Sequence, residues 1–115
     1  MKKTAQTLLR DGGTYTIAAA NGRVLEVADF NTENGAAVRL WSYAGEPWQQ
    51  WCFEEAGEGE YRIRNRFTGK VMDLAMRGKS DGTWIHQWMQ TSGLSQHWQP
   101  VPAAEGGYRL RNVYA

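Results

Sequence analysis

From residue 13 to the C-terminus, apolar residues recur at every second position in short runs, the period of strands whose side chains alternate between two faces. The pattern predicts nine strands, near 14–19, 23–28, 37–43, 50–55, 60–65, 70–75, 84–90, 97–102 and 107–113. Between them lie Gly22, Asn34-Gly35, Gly45, Gly69, Asp81-Gly82 and Gly93, residues that tolerate positive φ and so mark turns. No run reads as a long helix. Short strands separated by glycine-containing turns predict an all-β chain folded as a closed or nearly closed sheet.

The runs also repeat. GRVLEVA at 22–28 returns as GKVMDLA at 69–75, and NGAAVRLW at 34–41 returns as DGTWIHQW at 81–88. Trp51 and Trp98 each follow ten residues after Trp41 or Trp88, and each has a glutamine two residues before it, Gln49 or Gln96. The opening of the unit occurs three times, as Tyr15-Thr16-Ile17, Tyr61-Arg62-Ile63 and Tyr108-Arg109-Leu110, with an offset of 46 or 47 residues. An offset this regular marks one supersecondary unit used more than once.

In order along a unit, Y-x-I, G-x-V-[LM]-[ED]-[VL], [ND]-G-x-x-[VI]-x-x-W and Q-x-W resemble the repeat of the ricin-type (Q-x-W) β-trefoil lectins. That group includes toxin B chains, bacterial haemagglutinins and the family 13 carbohydrate-binding modules of glycosidases. The resemblance covers the chain from about residue 13 onward. It implies a single β-trefoil-like domain over 1–115, with complete four-strand repeats at 13–57 and 58–105 and an incomplete third at 106–115. A trefoil needs six barrel strands, and open edges are a liability. Gln6-Thr7-Leu8 stands before Tyr15 much as Gln49-Gln50-Trp51 stands before Tyr61, so residues 5–10 are expected to supply the missing fourth strand; the alternative is a frayed tail.

Composition narrows the function. A chain of 115 residues with 42% hydrophobic and 22% charged residues is one globular domain, with no sign of disorder or a membrane span. A net charge of +1 argues against duplex DNA or an anionic bilayer as partner. The single Cys52 cannot form an intramolecular disulfide, and MKKTAQTLLRDGG offers only Leu8-Leu9 where a signal peptide needs a longer apolar run. An extracellular lectin role would then require a larger parent or another route of export.

Catalytic constellations are missing from the pattern. His86 and His97 fall on different strands without a carboxylate or thiol at metal-ligand spacing, so neither a metal nor another cofactor is expected. Cys52 alternates away from Trp51 and reads as a small half-buried residue, not a nucleophile. Glu26 and Asp73 hold the same place in successive units, and trefoil symmetry would set them in separate lobes, too far apart for a glycosidase pair. The chain is not expected to be an enzyme.

Sugar binding fits better. In VLEVA, Glu26 opposes Leu25 and Val27; in VMDLA, Asp73 opposes Met72 and Leu74. In the following strand Val38 and Leu40 oppose Arg39 and Trp41, while Ile85 and Gln87 oppose Trp84, His86 and Trp88. Each hairpin is therefore expected to carry an apolar inner face and an outer face with a carboxylate beside a tryptophan. A carboxylate accepts hydrogen bonds from neighbouring hydroxyls, and an indole covers the C–H face of a pyranose.

The family's site, an aspartate, an aromatic, and an asparagine followed by the glutamine of Q-x-W, maps in unit two onto Asp73, His86, Trp88, Ser95 and Gln96. In unit one it maps onto Glu26, Arg39, Trp41, Trp48 and Gln49. Unit two departs at Ser95 and His86. Unit one departs further: its glutamate is longer, Trp48 replaces the asparagine, and Arg39 is placed to pair with Glu26. Unit two is thus the expected working site. Trp84 reads either as an extra sugar platform or as a cross-strand packing residue, and Trp48 as a site residue or plain packing after Pro47. The arginines at 62, 64, 66, 109 and 111 read as the solvent face of barrel strands.

The expectation is a module binding galactose-type or other pyranose glycans, without nucleic-acid binding or membrane insertion, as a homo-oligomer or part of a multidomain parent. The rival is a protein-interaction or structural trefoil, such as a toxin-complex component.

Overall fold

A computed structural model describes residues 9–80 and 82–115. Among the described residues nine strands form, at the nine predicted places: β1 (Gly13–Tyr15), β2 (Val24–Val27), β3 (Val38–Trp41), β4 (Trp51–Gly57), β5 (Glu60–Asn65), β6 (Val71–Leu74), β7 (Ile85–Trp88), β8 (Trp98–Pro102) and β9 (Tyr108–Asn112). Several are shorter than the hydrophobic runs suggested. Single 3-10 turns at Ala28–Phe30, Pro47–Gln49, Ala75–Arg77 and Leu94–Gln96 take over the ends. In two of these turns a non-glycine residue at the same repeat position adopts positive φ, Asp29 at 57° and Met76 at 50°, which stops the strand and redirects the chain.

The barrel strands pair antiparallel in the order β1-β4-β5-β8-β9. The β6–β7 hairpin joins β5 through Arg64 and Val71, and β2–β3 forms a separate hairpin. Among the described residues β1 pairs only with β4 and β9 only with β8. Residues 5–8, most of the segment expected to lie between them, fall outside the described residues. Leu9 packs against the core, and neither it nor Arg10 is in a strand.

Alternation along β4 buries Trp51 and Phe53 and leaves Cys52 and Glu54 half-exposed, as a strand with one face inward must. Trp51, Phe53, Ile63, Met72 and Trp98 make the centre of the core, each at most 3% exposed. Tyr15 and Tyr61 meet the Phe53 ring edge-on at 5.6 and 5.8 Å. Not all barrel arginines stand free in solvent. Arg64 binds both carboxylate oxygens of Glu54 at 2.8 and 2.9 Å across the β4–β5 pair, and this hydrogen bonding holds the Glu54 carboxyl below its ordinary range.

The two hairpins meet through Gln87. It is fully buried on the inner face of β7. Its Nε2 donates to the Asn31 and Glu33 carbonyls at 2.9 and 2.8 Å, and its Oε1 accepts from Thr68 Oγ1 at 2.7 Å. The backbone adds Gly35 N to Gln87 O and Gln87 N to Ala36 O, so the β2–β3 loop is latched onto β7. Gly35, at φ 90°, makes the turn that brings its N–H there.

Candidate carbohydrate-binding site

Each hairpin places its carboxylate directly opposite a third-strand side chain: Glu26 faces Arg39 and Asp73 faces His86. The 3-10 turns that precede β4 and β8 bring the glutamines in from the other side. Gln49 and Gln96 are essentially inaccessible, and each is held by backbone before it reaches the carboxylate. Gln49 Oε1 accepts from Ala44 N at 2.7 Å and its Nε2 donates to Ser42 O at 2.8 Å. Gln96 Oε1 accepts from Thr91 N at 2.8 Å and its Nε2 donates to Met89 O at 2.9 Å. Two residues later the tryptophan indole donates to the carbonyl just before the carboxylate: Trp51 to Leu25 O at 3.0 Å, Trp98 to Met72 O at 2.9 Å. The Q-x-W spacing thus clamps two successive residues of the second strand, one by side chain and one by backbone.

The carboxylates lie deeper than the outer-face expectation had them, with Glu26 3% and Asp73 8% exposed. Alternation assigns a side chain to a face; depth is set by what roofs that face, here the glutamine and the opposite residue.

Within this common frame the chemistry diverges. Both Glu26 oxygens are engaged: Oε2 accepts from Arg39 Nε at 2.9 Å and Oε1 from Gln49 Nε2 at 2.9 Å. Arg39 also reaches Asp29 at 3.4 Å, and its guanidinium lies 3.9 Å from the centre of the Trp41 ring, a cation–π contact. The shorter Asp73 is held loosely. Gln96 Nε2 stands 3.3 Å and His86 Nε2 3.7 Å from the same Oδ2, while Oδ1 is buried with no hydrogen-bond partner. His86 stacks beside Trp88 at 5.3 Å between ring centres, and Trp88 is 36% exposed.

The structure therefore brings Asp73, His86, Gln96 and Trp88 together in unit two, and Glu26, Arg39, Gln49 and Trp41 in unit one. The residues before the glutamines play a different part. Ser95 is buried and its carbonyl accepts from Asn112 Nδ2 at 2.9 Å. Trp48 uses its carbonyl in the same way, accepting from Asn65 Nδ2 at 3.0 Å, and its ring packs edge-on between Phe30 and Phe67. Asn65 and Asn112 thus hold both glutamine turns, a role missed in the sequence reading although YRIRN at 61–65 returns as YRLRN at 108–112. Gln87 was missed as well, being grouped with Ile85 on the inner face.

Among the described residues no group of three or more His, Cys, Asp or Glu is placed to hold an ion. Burial, followed by the nearby Glu54 charge, pushes the Cys52 thiol above its ordinary range, the opposite of what a nucleophile needs.

A family model described as ricin-type beta-trefoil lectin domain-like matches residues 6–88. The chain belongs to this family. Solved structures agree on the fold of this lectin-like trefoil. A designed three-fold symmetric protein, ThreeFoil, is 31% identical at a TM-score of 0.84, with 88% of this chain and 73% of that one covered. An exo-β-1,3-galactanase from Clostridium thermocellum is 28% identical at 0.84, with 94% and 24% covered. The Polyporus squamosus lectin, solved with a human-type influenza-binding epitope, is 26% identical at 0.81, with 93% and 38% covered. The chain thus spans about a quarter of the galactanase and well under half of the Polyporus lectin. No curated protein matches the chain.

Proposed function

We propose that the chain is a non-catalytic carbohydrate-binding module for galactose-type or other pyranose glycans, with its working site at Asp73, His86, Trp88 and Gln96. Family membership and the likeness to a glycan-bound lectin support carbohydrate binding in general. The observation that carries the site is the Asp73 carboxylate, which has one unpartnered oxygen and stands next to a half-exposed indole. A buried acceptor left unpaired costs about 1–3 kcal/mol, an energy that a ligand hydroxyl can offset. Contacts of 3.3 and 3.7 Å hold Oδ2 loosely, so small rotations about the broad final torsion of aspartate can re-aim the carboxylate toward a ligand hydroxyl. Trp88 would cover the apolar side of the ring.

One such carboxylate, one indole and a few neutral hydrogen bonds, each worth ~1 kcal/mol net, support an affinity in roughly the millimolar to high-micromolar range. Useful retention then calls for several sites on one glycan, through a homo-oligomer or a multidomain parent. In unit one Arg39 and Gln49 already engage both Glu26 oxygens, so Glu26, Arg39, Trp41 and Gln49 form a counterpart that offers a sugar a poorer acceptor, and Trp48 packs beside it.

A glycan array probed with wild type, Asp73→Ala, Asp73→Asn and Glu26→Ala tests the reading. Wild type should bind, both Asp73 variants should lose about tenfold or more, and a folded Glu26→Ala protein should retain binding. Wild type that captures no glycan above background would favour the protein-contact role instead.

A further inference from the structure

Two positions near the tip of the β6–β7 hairpin differ from their counterparts in the β2–β3 hairpin in the same direction. Where the first has Asp29 the second has Met76, and where the first has Ala37 the second has Trp84. Met76 is 91% and Trp84 66% exposed, so neither replacement contributes a buried side chain to the core. Exposed large apolar groups gathered in one place mark a binding surface.

The place is shaped. Ala75, Met76, Gly78, Gly82, Thr83 and Trp84 line a predominantly apolar hollow of about 340 Å³, within the size range of small-ligand sites. Its walls are set by backbone. Met76 is held at φ 50° and ψ 26°, a conformation costly for a side chain of its kind. Gly78 passes so close to Thr83 that a Cβ there would lie 2.6 Å from the threonine side chain. Lys79 stands 4.7 Å over the Tyr114 ring, tying the loop to the C-terminal segment. Trp84 O accepts from Ala75 N at 3.0 Å, which extends the β6–β7 ladder by one step and fixes the base of the indole.

The hollow also adjoins the Asp73 site. Trp84, His86 and Trp88 alternate with Ile85 and Gln87, so all three project from one face of the β7 line. Trp84 has only the small Ala75 across from it, and packing against a cross-strand neighbour does not account for an indole there. Four residues of strand separate Trp84 from Trp88, ~13 Å, roughly the length of a di- or trisaccharide. Asp73 and His86 lie between the two indoles.

We propose that Trp84 and Met76 form a second subsite, which takes a later pyranose, about two rings along, of an oligosaccharide whose first ring sits at Asp73 and Trp88. This rests on the reading of Asp73 as the sugar site. The indole receives the C–H face of that later ring, the methionine thioether borders it, and the hollow admits a ring substituent. The module would therefore discriminate by chain length, binding an oligosaccharide more tightly than the free monosaccharide.

Titration of the whole chain with galactose, galactobiose and galactotriose, followed by NMR shifts of the indole N–H groups, separates the possibilities. Wild type should bind galactotriose, which spans both indoles, about five- to tenfold more tightly than galactose, with galactobiose nearer to galactose. Trp84→Ala should erase that gain and leave the galactose affinity unchanged, and Trp84→Phe should restore part of it. Asp73→Asn should weaken all three sugars. Equal affinity of wild type for the three sugars overturns the subsite and leaves the Asp73 reading standing. So does a Trp84→Ala protein that binds all three as wild type does, or one that loses galactose as well. Failure of wild type to bind any of them brings down the galactose-type reading of the Asp73 site, and the subsite with it.

Discussion

The β2–β3 and β6–β7 hairpins are built by one rule and finished by two. In both, a glutamine and a tryptophan two residues apart clamp the second strand, and an asparagine from the next barrel strand holds the glutamine turn. They differ in what fills the space above the carboxylate. Arg39 reaches 2.9 Å from Glu26 and closes the network, whereas the shorter pair of His86 and Asp73 stops at 3.7 Å and leaves an oxygen without a partner. The lesson is that the motif specifies a scaffold. Whether the carboxylate keeps an unpartnered oxygen depends on side-chain length at the carboxylate and at the third-strand position opposite it.

The largest effects should fall on the shared clamp. Trp51→Ala and Trp98→Ala each remove a fully buried indole and its hydrogen bond to the second strand, so each should cost about 3–5 kcal/mol. That is a large share of the stability of a domain this size. Urea unfolding of the two variants should give losses of similar size. A loss at one tryptophan only a third of that at the other would break the claim that the hairpins share one scaffold.

A smaller and one-sided effect is expected at the latch. Gln87→Leu strands the Asn31 and Glu33 carbonyls and the Thr68 hydroxyl, and should cost about 2–3 kcal/mol by thermal unfolding. Leu40, the counterpart of Gln87 in the first hairpin, is 42% exposed, so Leu40→Gln should change stability by less than about 0.5 kcal/mol. Equal costs at the two positions would show that Gln87 acts as an ordinary strand residue and latches nothing.

Much of this was legible in the sequence because strand alternation and the 47-residue offset are local signals. All nine strands lie where period-two runs placed them, and Trp51 and Trp98 are core residues, as their repeat position implied. Contacts between units were not legible. Gln87 looks like one more inward position until the β2–β3 loop, some fifty residues earlier, is seen to end its carbonyls on it. Trp48 shows the same limit from the other side. Its ring was a candidate site residue, yet Phe30 and Phe67, distant in sequence, take it as a packing partner, and only its carbonyl does what Ser95 does. The depth of Glu26 and Asp73 was invisible for a related reason, since the glutamine that roofs each one arrives from 23 residues further along the chain.

The last effect is the smallest and bears most directly on the comparison. Arg39→Gln shortens the side chain above Glu26, replaces a charged donor with a neutral amide and uncovers one face of Trp41. Only the Arg39 end of the pair is partly exposed, at 32% side-chain accessibility against 4% for Glu26, and the glutamine leaves that carboxylate less well paired, so the loss of stability should be about 1–2 kcal/mol. In exchange Glu26 Oε2 regains acceptor capacity beside an indole that is 48% exposed, the arrangement that unit two already has. A galactose titration followed at the indole N–H signals should then move Trp41 as well as Trp88, with weak affinity in roughly the millimolar range. Movement of Trp88 alone would mean that the extra methylene of Glu26 closes unit one even without the arginine. The double variant Arg39→His with Glu26→Asp would then be the change that has to open it.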